Sequence, residues 1–564
     1  MRPHITFALA FLMLGCVSWL KAAEPSPQFD GIAAIRKSLD EKRWQQVVEQ
    51  AQAQPGGGAQ VDYYYGLALA QLGRWDEARA VLLRGHRLLP QDERFPIELG
   101  GVAFRRKRYA EAAGWLRRGM RLNPGDAYAA DFLGAIYFLQ GNPDAALKYW
   151  NQIGKPQIGS VQVEAGLRVD RVVLDGAFAF APGGTLLLPD LLTTRARLGG
   201  LEIFPSFSFR LNARQDGGMD VDFTARERDG WGKNALEALL SSFRGLGYQT
   251  IYPEYFNVAR SAINIASLVR WDPQKRRLAA GLSGPLRGDA GYRYQAGFDL
   301  RDENWDLRRS FNGPAPALGA LDLHRSAVSG KVTSFRSGSW NWSTGGEFSH
   351  RYYRNISAEP GLPQEVLLRG YQLKHLAQLN RDLWRVPDRR FESYARISSE
   401  AGRIWSTPVH TFERLQSSVS ARWLPQMAGD DYAIAQQFRA GKIFGRVPFD
   451  ELYMLGLERD NDLWMRAHVG TRGGRKGSAP LGRNYFLSNW EMDKNVCKGF
   501  LEVKLSPFLD IGKITESIAG LGSREWLWDT GVQAKVRVRG VGFVVVYGKD
   551  LRSGNNTLYL MAGR

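Results

Sequence analysis

The stretch that decides the fold lies between residues 449 and 512. It contains residues 449–457 (FDELYMLGL), 463–468 (LWMRAH), 485–491 (YFLSNWE) and 506–512 (SPFLDIG). A lone arginine, Arg466, comes before a glycine-rich, basic loop at residues 470–482. Two acids, Glu491 and Asp510, come after it, each within a strand-like run. The pattern is therefore a strand, a basic loop and further strands, with one arginine before the loop and two acids after it.

This pattern resembles the C-terminal part of the BamA and two-partner-secretion transporter superfamily of outer-membrane barrels. In that family a loop folds back into the barrel lumen, and its arginine pairs there with acids on the following strands. The resemblance implies a non-enzymatic protein that inserts or translocates client proteins at the bacterial outer membrane. It implies a lumenal clamp made of Arg466, Glu491 and Asp510. It also implies a lumenal loop containing Gly456, His468, Gly473 and Gly474, and a barrel strand motif containing Phe508 and Gly512.

A second arginine competes for the clamp. Residues 368–371 (LRGY) match the family's Arg-Gly-aromatic tip better than Arg466, which is followed by Ala467 and His468. However, 195 residues follow Arg369, about twice what the closing strands need, and no acidic strands follow at the right distance. Arg466 has 98 residues after it and is favoured. An arginine inside a narrow barrel is costly unless carboxylates pair with it.

The N-terminus predicts export. Arg2, an apolar run to Leu20 and a small-residue exit at residues 22–23 are typical of a secretory signal peptide over residues 1–23. Residues 13–16 (MLGC) form a weak lipobox, so lipidation of Cys16 stays open. Removing the signal leaves Cys497 as the one cysteine and excludes an internal disulfide. Loss of Arg2 and Lys21 with the signal lowers the formal charge from +18 to about +16, which fits anionic lipopolysaccharide, because export argues against nucleic acid as the partner.

A 34-residue repeat opens the mature chain. One spacing recurs in four columns, which are Gly66, Gly100 and Gly134; Ala78, Ala112 and Ala146; Trp75, Tyr109 and Pro143; and Pro90 and Pro124. This is the period of the tetratricopeptide repeat, a helix-turn-helix unit. The columns predict an all-α solenoid over residues 30–155. Such arrays bind extended peptides or proteins, so we expect a periplasmic docking platform.

Residues 160–230 predict a small α/β domain. Residues 169–176 read as a strand, residues 191–204 as a helix, and residues 207–213 and 219–225 as a hairpin. The order resembles a single POTRA domain, the periplasmic module that precedes the barrel in this superfamily and binds clients by strand addition. A generic α/β linker domain is the alternative.

Residues 231–564 predict a transmembrane antiparallel β-barrel of about 16 strands. Apolar residues alternate with polar ones at residues 532–538, as lipid-facing and lumen-facing positions require. Residues 272–275 (DPQK) predict the first hairpin. The last five strands are expected at 485–492, 501–512, 526–539, 541–550 and 556–564. The seam between the strand near 261–270 and the last strand is expected to pair weakly, since glycine weakens a strand interior.

Catalytic signals are absent from the sequence. The seven histidines show no His-Glu-x-x-His spacing, and the cysteines offer no metal pair, so neither cofactor nor metal is expected. Residues 472–478 (RGGRKGS) resemble a phosphate loop but have the order Lys-Gly-Ser, and the flexible tip of the lumenal loop is favoured. Two alternatives remain. One is a polysaccharide-export porin with a periplasmic tetratricopeptide scaffold, and the other is a structural or adhesive surface protein.

Overall fold

The structure is a computed structural model that describes most of the chain. The described residues are 27–232, 235–308, 317–357, 364–427, 429–516, 521–523, 525–538 and 541–563. The predicted signal peptide and Cys16 lie outside them. The chain divides into two compact units, Met1–Leu133 and Gly134–Arg564.

The first unit consists of antiparallel helices. These are α1 (Pro27–Asp40), α2 (Trp44–Gln52), α3 (Gly58–Gln71), α4 (Trp75–Leu88), α5 (Arg94–Arg105), α6 (Tyr109–Leu122) and the start of α7 (Ala127–Leu139). The repeated small residues lie where paired helices touch. A Cβ on Gly66 would lie 2.5 Å from Leu82, and one on Gly100 would lie 2.7 Å from Leu116. The 34-residue spacing therefore records close helix packing.

The second unit begins with a small βααββ module. After α8 (Pro143–Trp150) come β1 (Ile158–Val163), α9 (Arg171–Ala177), α10 (Leu188–Leu201), β2 (Ser206–Ala213) and β3 (Met219–Arg226). The sheet order is β1-β3-β2. Strand β1 runs parallel to β3, and β2 runs antiparallel to it. The helix and the hairpin expected from the sequence are present.

The strand predicted at residues 169–176 is wrong. This segment forms helix α9, because the Asp170 side chain caps it by accepting a hydrogen bond from the Val172 backbone N–H at 2.7 Å. Val173, Leu174 and Ala177 are buried at helical spacing, whereas Val172 is exposed. The first strand lies earlier, in residues 158–163.

A large antiparallel sheet follows the module. Helix α11 (Ala235–Phe243) and two short strands, β4 (Thr250–Ile251) and β5 (Glu254–Val258), lead into it. The long strands are β6 (Ile263–Asp272), β7 (Lys275–Leu286), β8 (Asp289–Arg308), β9 (Ala317–Ser334), β10 (Trp340–Ser357), β11 (Gly370–Val386), β12 (Phe391–Trp405), β13 (His410–Trp423), β14 (Tyr432–Gly445), β19 (Asn484–Cys497), β20 (Leu501–Thr515), β21 (Leu527–Val538), β22 (Val541–Asp550) and β23 (Asn556–Gly563). Between β14 and β19 lie four two-residue strands, β15 (Tyr453–Met454), β16 (Thr471–Arg472), β17 (Arg475–Lys476) and β18 (Leu481–Gly482).

The strand count differs from the sixteen expected. Among the described residues the sheet orders eighteen strands, of which fourteen are long. The other four strands, β4, β5, β16 and β17, have only two to five residues each. The predicted first hairpin is confirmed, since β6 ends at Asp272 and β7 starts at Lys275. The last five strands also start and end close to the expected residues.

The two faces of the sheet differ in polarity. In β21, Val532 is exposed on the outer face, while Gln533 is buried and Lys535 forms ion pairs on the inner face. The predicted alternation at residues 532–538 therefore matches an apolar outside and a polar inside. Among the described helices, none is long and apolar enough to cross a membrane.

The first and last strands meet at a weak seam. The strand order places β23 next to β4, as in a closed barrel. Because β4 has two residues, pairing there is at most two residues long, whereas β22 and β23 pair from Gly542 opposite Gly563 to Lys549 opposite Asn556.

Candidate functional site

The connection between β14 and β19, residues 446–483, is the candidate site and is called the inner loop. It folds back against the inner face of the sheet, where its apolar side chains Phe449, Leu455 and Met465 are almost fully buried. They pack with inward-facing residues of the strands, including Leu321, Leu323 and Leu487. The inner loop is therefore part of the core of this unit.

Arg466 fastens the inner loop to β19 and β20. Its guanidinium donates Nε to Asp510 Oδ2 at 2.9 Å and Nη2 to Asp510 Oδ1 at 2.6 Å. Its Nη1 donates to Glu491 at 2.9 Å. Arg466 and Asp510 are buried, while the Glu491 side chain is one-quarter exposed. The structure thus brings together the three residues of the expected clamp in a bidentate pair and one further charge-assisted bond.

Neighbouring side chains complete this contact. The guanidinium carbon lies 3.9 Å from the centre of the Phe508 ring, in cation–π geometry. Asn489 donates to Asp510 at 2.7 Å. Gln533 and Lys535 donate to Glu491 at 2.6 and 2.7 Å. Each buried carboxylate therefore has several donors, as buried charges require.

His468 makes a second contact two residues along. Its Nδ1 lies 3.0 Å from Asp529, and its Nε2 lies 3.7 Å from Asp550. The backbone N–H of Ala467 also donates to Asp529, at 2.6 Å. Sequence reasoning missed Asp529 and Asp550. A signal existed, since Asp529-Thr530-Gly531 repeats the spacing of Asp510-Ile511-Gly512 on the neighbouring strand, and the two aspartates are directly opposite each other.

The same three residues have the composition of a metal site. One ligand atom from each of His468, Asp529 and Asp550 lies within 4.8 Å of the others. Asp550 accepts from the Arg552 N–H at 2.9 Å and from Ser553 Oγ at 2.7 Å, and Asp529 Oδ2 accepts from the Ala467 N–H at 2.6 Å. We therefore assign the group to hydrogen bonding.

Glycines let the inner loop lie close to the strands. A Cβ on Gly512 would lie 2.9 Å from Met465 Sδ, and one on Gly548 would lie 2.7 Å from the Arg466 carbonyl oxygen. Within the inner loop, a Cβ on Gly456 would lie 2.3 Å from the Cβ of Ala479. The expected strand glycine, Gly512, is thus a site of close approach.

A second ion cluster lies at the start of the inner loop. Asp450 accepts from Arg351 on β10 at 3.0 Å. Glu451 accepts from Arg351 at 3.1 Å and from Lys374 on β11 at 3.1 Å, and it lies 3.4 Å from Arg414 on β13. All of these side chains are buried or nearly so. We call this set the middle cluster.

A third cluster joins the inner loop to the first long strands. Asp460 pairs with Arg270 on β6 at 2.8 Å and with Arg277 on β7 at 2.7 Å. Lys476 pairs with Glu303 on β8 at 2.6 Å and is itself buried. We call this set the first-strand cluster, and the contacts of Arg466 and His468 the last-strand cluster.

The first-strand cluster corrects the expectation of a flexible tip at residues 472–478. Arg475 pairs with Asp306 at 3.0 Å beside the Lys476 contact, so this basic segment is anchored to β8. Gly473 and Gly474 form the turn between β16 and β17 with φ of +57° and +82°, a left-handed conformation that favours glycine. Arg369, the competing arginine, is exposed just before β11 and lies outside all three clusters.

The three clusters show how the sheet curves. One loop of fewer than forty residues contacts β6 to β11, β13 and β19 to β22, so the sheet must curl around it. The charges are also sorted. Asp450, Glu451 and Asp460 of the inner loop meet bases on β6 to β13, and Arg466 and His468 meet acids on β19 to β22. Lys476 and Arg475 are the exception, because their acids, Glu303 and Asp306, lie on β8. A cavity of about 1160 Å³ remains beside the loop, lined by Arg301, Arg422, Gln437, Arg459 and Trp464 among others.

Comparisons with known proteins found structural neighbours only. No family model and no curated protein matches the chain. BamA from Haemophilus ducreyi lacking POTRA domains 1–3 aligns with a TM-score of 0.43 and 12% identity, covering 72% of this chain and 83% of that one. CdiB from Escherichia coli aligns with a TM-score of 0.46 and 15% identity, covering 72% and 75%. MamA aligns with a TM-score of 0.22 and 20% identity, covering 23% of this chain and 78% of that one.

BamA is the protein that the sequence resemblance named, and it is among the structural neighbours found.

Proposed function

We propose that this chain is an outer-membrane β-barrel of the BamA and two-partner-secretion superfamily that inserts or translocates client proteins and has no catalytic activity. The observation that carries the proposal is the buried contact of Arg466 with Asp510 and Glu491, which holds the inner loop inside a sheet with an apolar outer face. A closed sheet with all strands paired is one of the two structures that can span a bilayer.

The N-terminal parts have the form of docking modules. We propose that residues 30–155 are tetratricopeptide repeats and that residues 160–230 are a POTRA-like domain, both in the periplasm. The sheet order β1-β3-β2 leaves one side of β2 open, and an open strand edge can receive an extended client segment. Proposed partners are therefore client outer-membrane or secreted proteins, other periplasmic proteins at the helical array, and lipopolysaccharide.

The weak seam supports lateral release of a client. An unpaired strand edge seeks hydrogen-bond partners, so the long strands β6 and β23, joined through the two-residue β4, can template an incoming strand. The inner loop contacts strands on both sides of this seam from within. Release and closure of the seam would then depend on the first-strand and last-strand clusters.

Reconstitution tests the proposal. The full chain is placed in lipid vesicles, and a urea-unfolded eight-stranded outer-membrane protein is added. We expect faster acquisition of protease protection and heat-modifiable migration than with empty vesicles. Equal rates for several such clients, together with unchanged levels of outer-membrane and surface proteins in a deletion strain, would contradict the proposal. Loss of a surface polysaccharide in that strain would instead support the export-porin alternative.

A further inference from the structure

A polar and aromatic cluster lies on the outer face of the sheet, across β7 to β10. Strand alternation turns Arg277, Arg301 and Arg325 inward, so their neighbours Arg276, Asp302 and His324 point outward. With Tyr352 and His350 on β10, they line a cavity of about 420 Å³. We call this set the outer-wall pocket. It opens on the face of the sheet opposite to the inner loop, although Arg270 and Arg277 of the first-strand cluster also line the cavity.

Aromatic and ionic contacts order the outer-wall pocket. The His324 and Tyr352 rings are stacked with centres 4.7 Å apart, and His324 Nδ1 lies 3.3 Å from Asp302. Arg354 extends the stack, with its guanidinium carbon 4.9 Å from the centre of the Tyr352 ring. Within the part of the chain that the structure describes, the exposed Arg276 has no ion-pair partner.

The other part of the outer-wall pocket is apolar. Leu278 and Leu300 are each 43% exposed, and Val269 lies beside them. The polar part lies nearer the β6–β7 hairpin, because Arg276 is the second residue of β7, while β8, β9 and β10 extend at least five residues beyond Asp302, His324 and Tyr352. The pocket therefore has an apolar region toward the middle of the wall and a cationic, aromatic region toward its rim.

The contacts of the βααββ module show which rim this is. The module lies at the opposite ends of these strands, where Thr193 accepts from the Gly338 N–H at 3.0 Å and Leu201 O accepts from Asn264 at 2.8 Å. On the proposed topology, on which this inference rests, the outer-wall pocket faces the outer leaflet. A charged side chain on the lipid face is far less costly near an interface than at the bilayer midplane, which favours this placement of Arg276.

We infer that the outer-wall pocket binds a phosphorylated acyl-glycolipid of the outer leaflet, the chemistry of lipid A in lipopolysaccharide. Arg276 contacts a phosphate, since arginine recognises phosphate in a bidentate manner. The edges of the stacked His324 and Tyr352 rings offer polar groups to the sugar, and Leu278 and Leu300 contact the start of an acyl chain. A phospholipid with one phosphate and no sugar would use only part of this pocket.

Binding is measured with the full chain in nanodiscs, titrated with bisphosphorylated lipid A, dephosphorylated lipid A and phosphatidylglycerol. We expect preference for bisphosphorylated lipid A and a loss of about tenfold in Arg276→Ala. Arg403→Ala is the matched control, because Arg403 is also exposed on the outer face near a strand end and its guanidinium carbon lies 6.0 Å from the Trp405 ring centre. The control should bind as the parent does.

Folding of each variant is checked by heat-modifiable migration. If Arg276→Ala fails to fold, Arg276→Lys replaces it in the binding experiment. We expect a smaller loss of lipid A affinity in Arg276→Lys than in Arg276→Ala, because the positive charge remains. Equal losses in the Arg276 and Arg403 variants would show a general basic rim and overturn the inference. Equal binding of the dephosphorylated lipid or of phosphatidylglycerol would overturn it too. Binding of lipid A by a chain that fails to insert clients would contradict the proposed function and leave this inference standing.

Discussion

Arg466 fastens the inner loop to both β19 and β20 through Glu491 and Asp510, so its replacement is the first test at the residue scale. Arg466→Ala leaves Asp510 buried without its guanidinium, and breaking a buried pair costs about 3–5 kcal/mol. The backbone ladders of the strands remain, so we expect a folded sheet with a loosened inner loop. Heat-modifiable migration should persist, while protease cleavage within residues 446–483 rises and client insertion falls.

Two controls belong to this experiment. Arg369→Ala removes the exposed competing arginine and should match the parent protein. Removing both partners, in Arg466→Ala with Asp510→Ala, should loosen the loop less than the two single effects added together, because no unpaired charge is left. A stronger effect at Arg369 than at Arg466 would show that the wrong arginine was assigned to the clamp.

Glu98 offers a test at the residue scale in the helical unit. Burial raises the pKa of Glu98 from 4.5 to about 7. The folded state therefore holds this proton more tightly than the unfolded state, and its stability is greatest below pH 4.5 and falls as the pH rises to 7. Glu98→Gln should raise the free energy of unfolding by about 1–3 kcal/mol at pH 8 and leave it unchanged at pH 4.

Thermal unfolding of the full chain, followed by helical circular dichroism at the two pH values, measures this difference. Glu49→Gln on α2 is the control, since Glu49 is exposed, and it should behave as the parent does at both pH values. A gain for Glu98→Gln that is equal at pH 4 and pH 8 would not fit a buried carboxyl.

The inner loop is an element held at three places, and each place can be released alone. Asp460→Asn removes the acid that Arg270 and Arg277 share, so the first-strand cluster keeps its bases and loses their common partner. We expect the loop to detach from β6 and β7 while Arg466 still holds it to β20. Hydrogen exchange should increase in β6 and β7 and stay unchanged in β10 to β13.

Asp462→Asn is the matched control in the same loop. The Asp462 side chain is 86% exposed, and its replacement removes one ion pair, with Arg439 at 3.6 Å. If both variants raise exchange in β6 equally, the first-strand cluster does not anchor the seam.

The seam between β23 and the first strands gives a second test of elements. Cysteine pairs placed on β4 and β23, which the strand order makes neighbours, lock the seam when oxidised in a Cys497→Ser background. The exposed Cys497 is replaced first to prevent wrong pairing. We expect the locked protein to stay folded and to lose client assembly, with recovery on reduction. Full activity of the locked protein would rule out lateral opening and favour the export porin.

On the scale of the whole molecule, the proposed topology places residues 30–230 in the periplasm. Both N-terminal modules precede the sheet, and the βααββ module touches the strand ends that lie away from the inner loop connection. Protease added to intact cells should therefore spare residues 30–230 and cut them after the outer membrane is permeabilised. Cleavage there in intact cells would reverse the orientation.

The sequence alone determined features that depend on short-range periodicity. The 34-residue columns predicted the paired helices, because glycine and alanine recur where helices touch. The two-residue alternation predicted β21 and its neighbours, since side chains of a strand point to opposite faces. The grouping of Arg466 with Glu491 and Asp510 was also expected, but from resemblance to a family.

Only the tertiary structure decided the partners that lie far apart in the chain. Asp460 meets Arg270 from 190 residues away and Lys476 meets Glu303 from 173, because the sheet curls around the inner loop. Curvature and register bring these charges together, and no local pattern encodes either. The same limit explains why residues 169–176 were predicted as a strand and form α9, because a valine-rich run is compatible with both. The Asp170 cap and the packing of Val173, Leu174 and Ala177 select the helix.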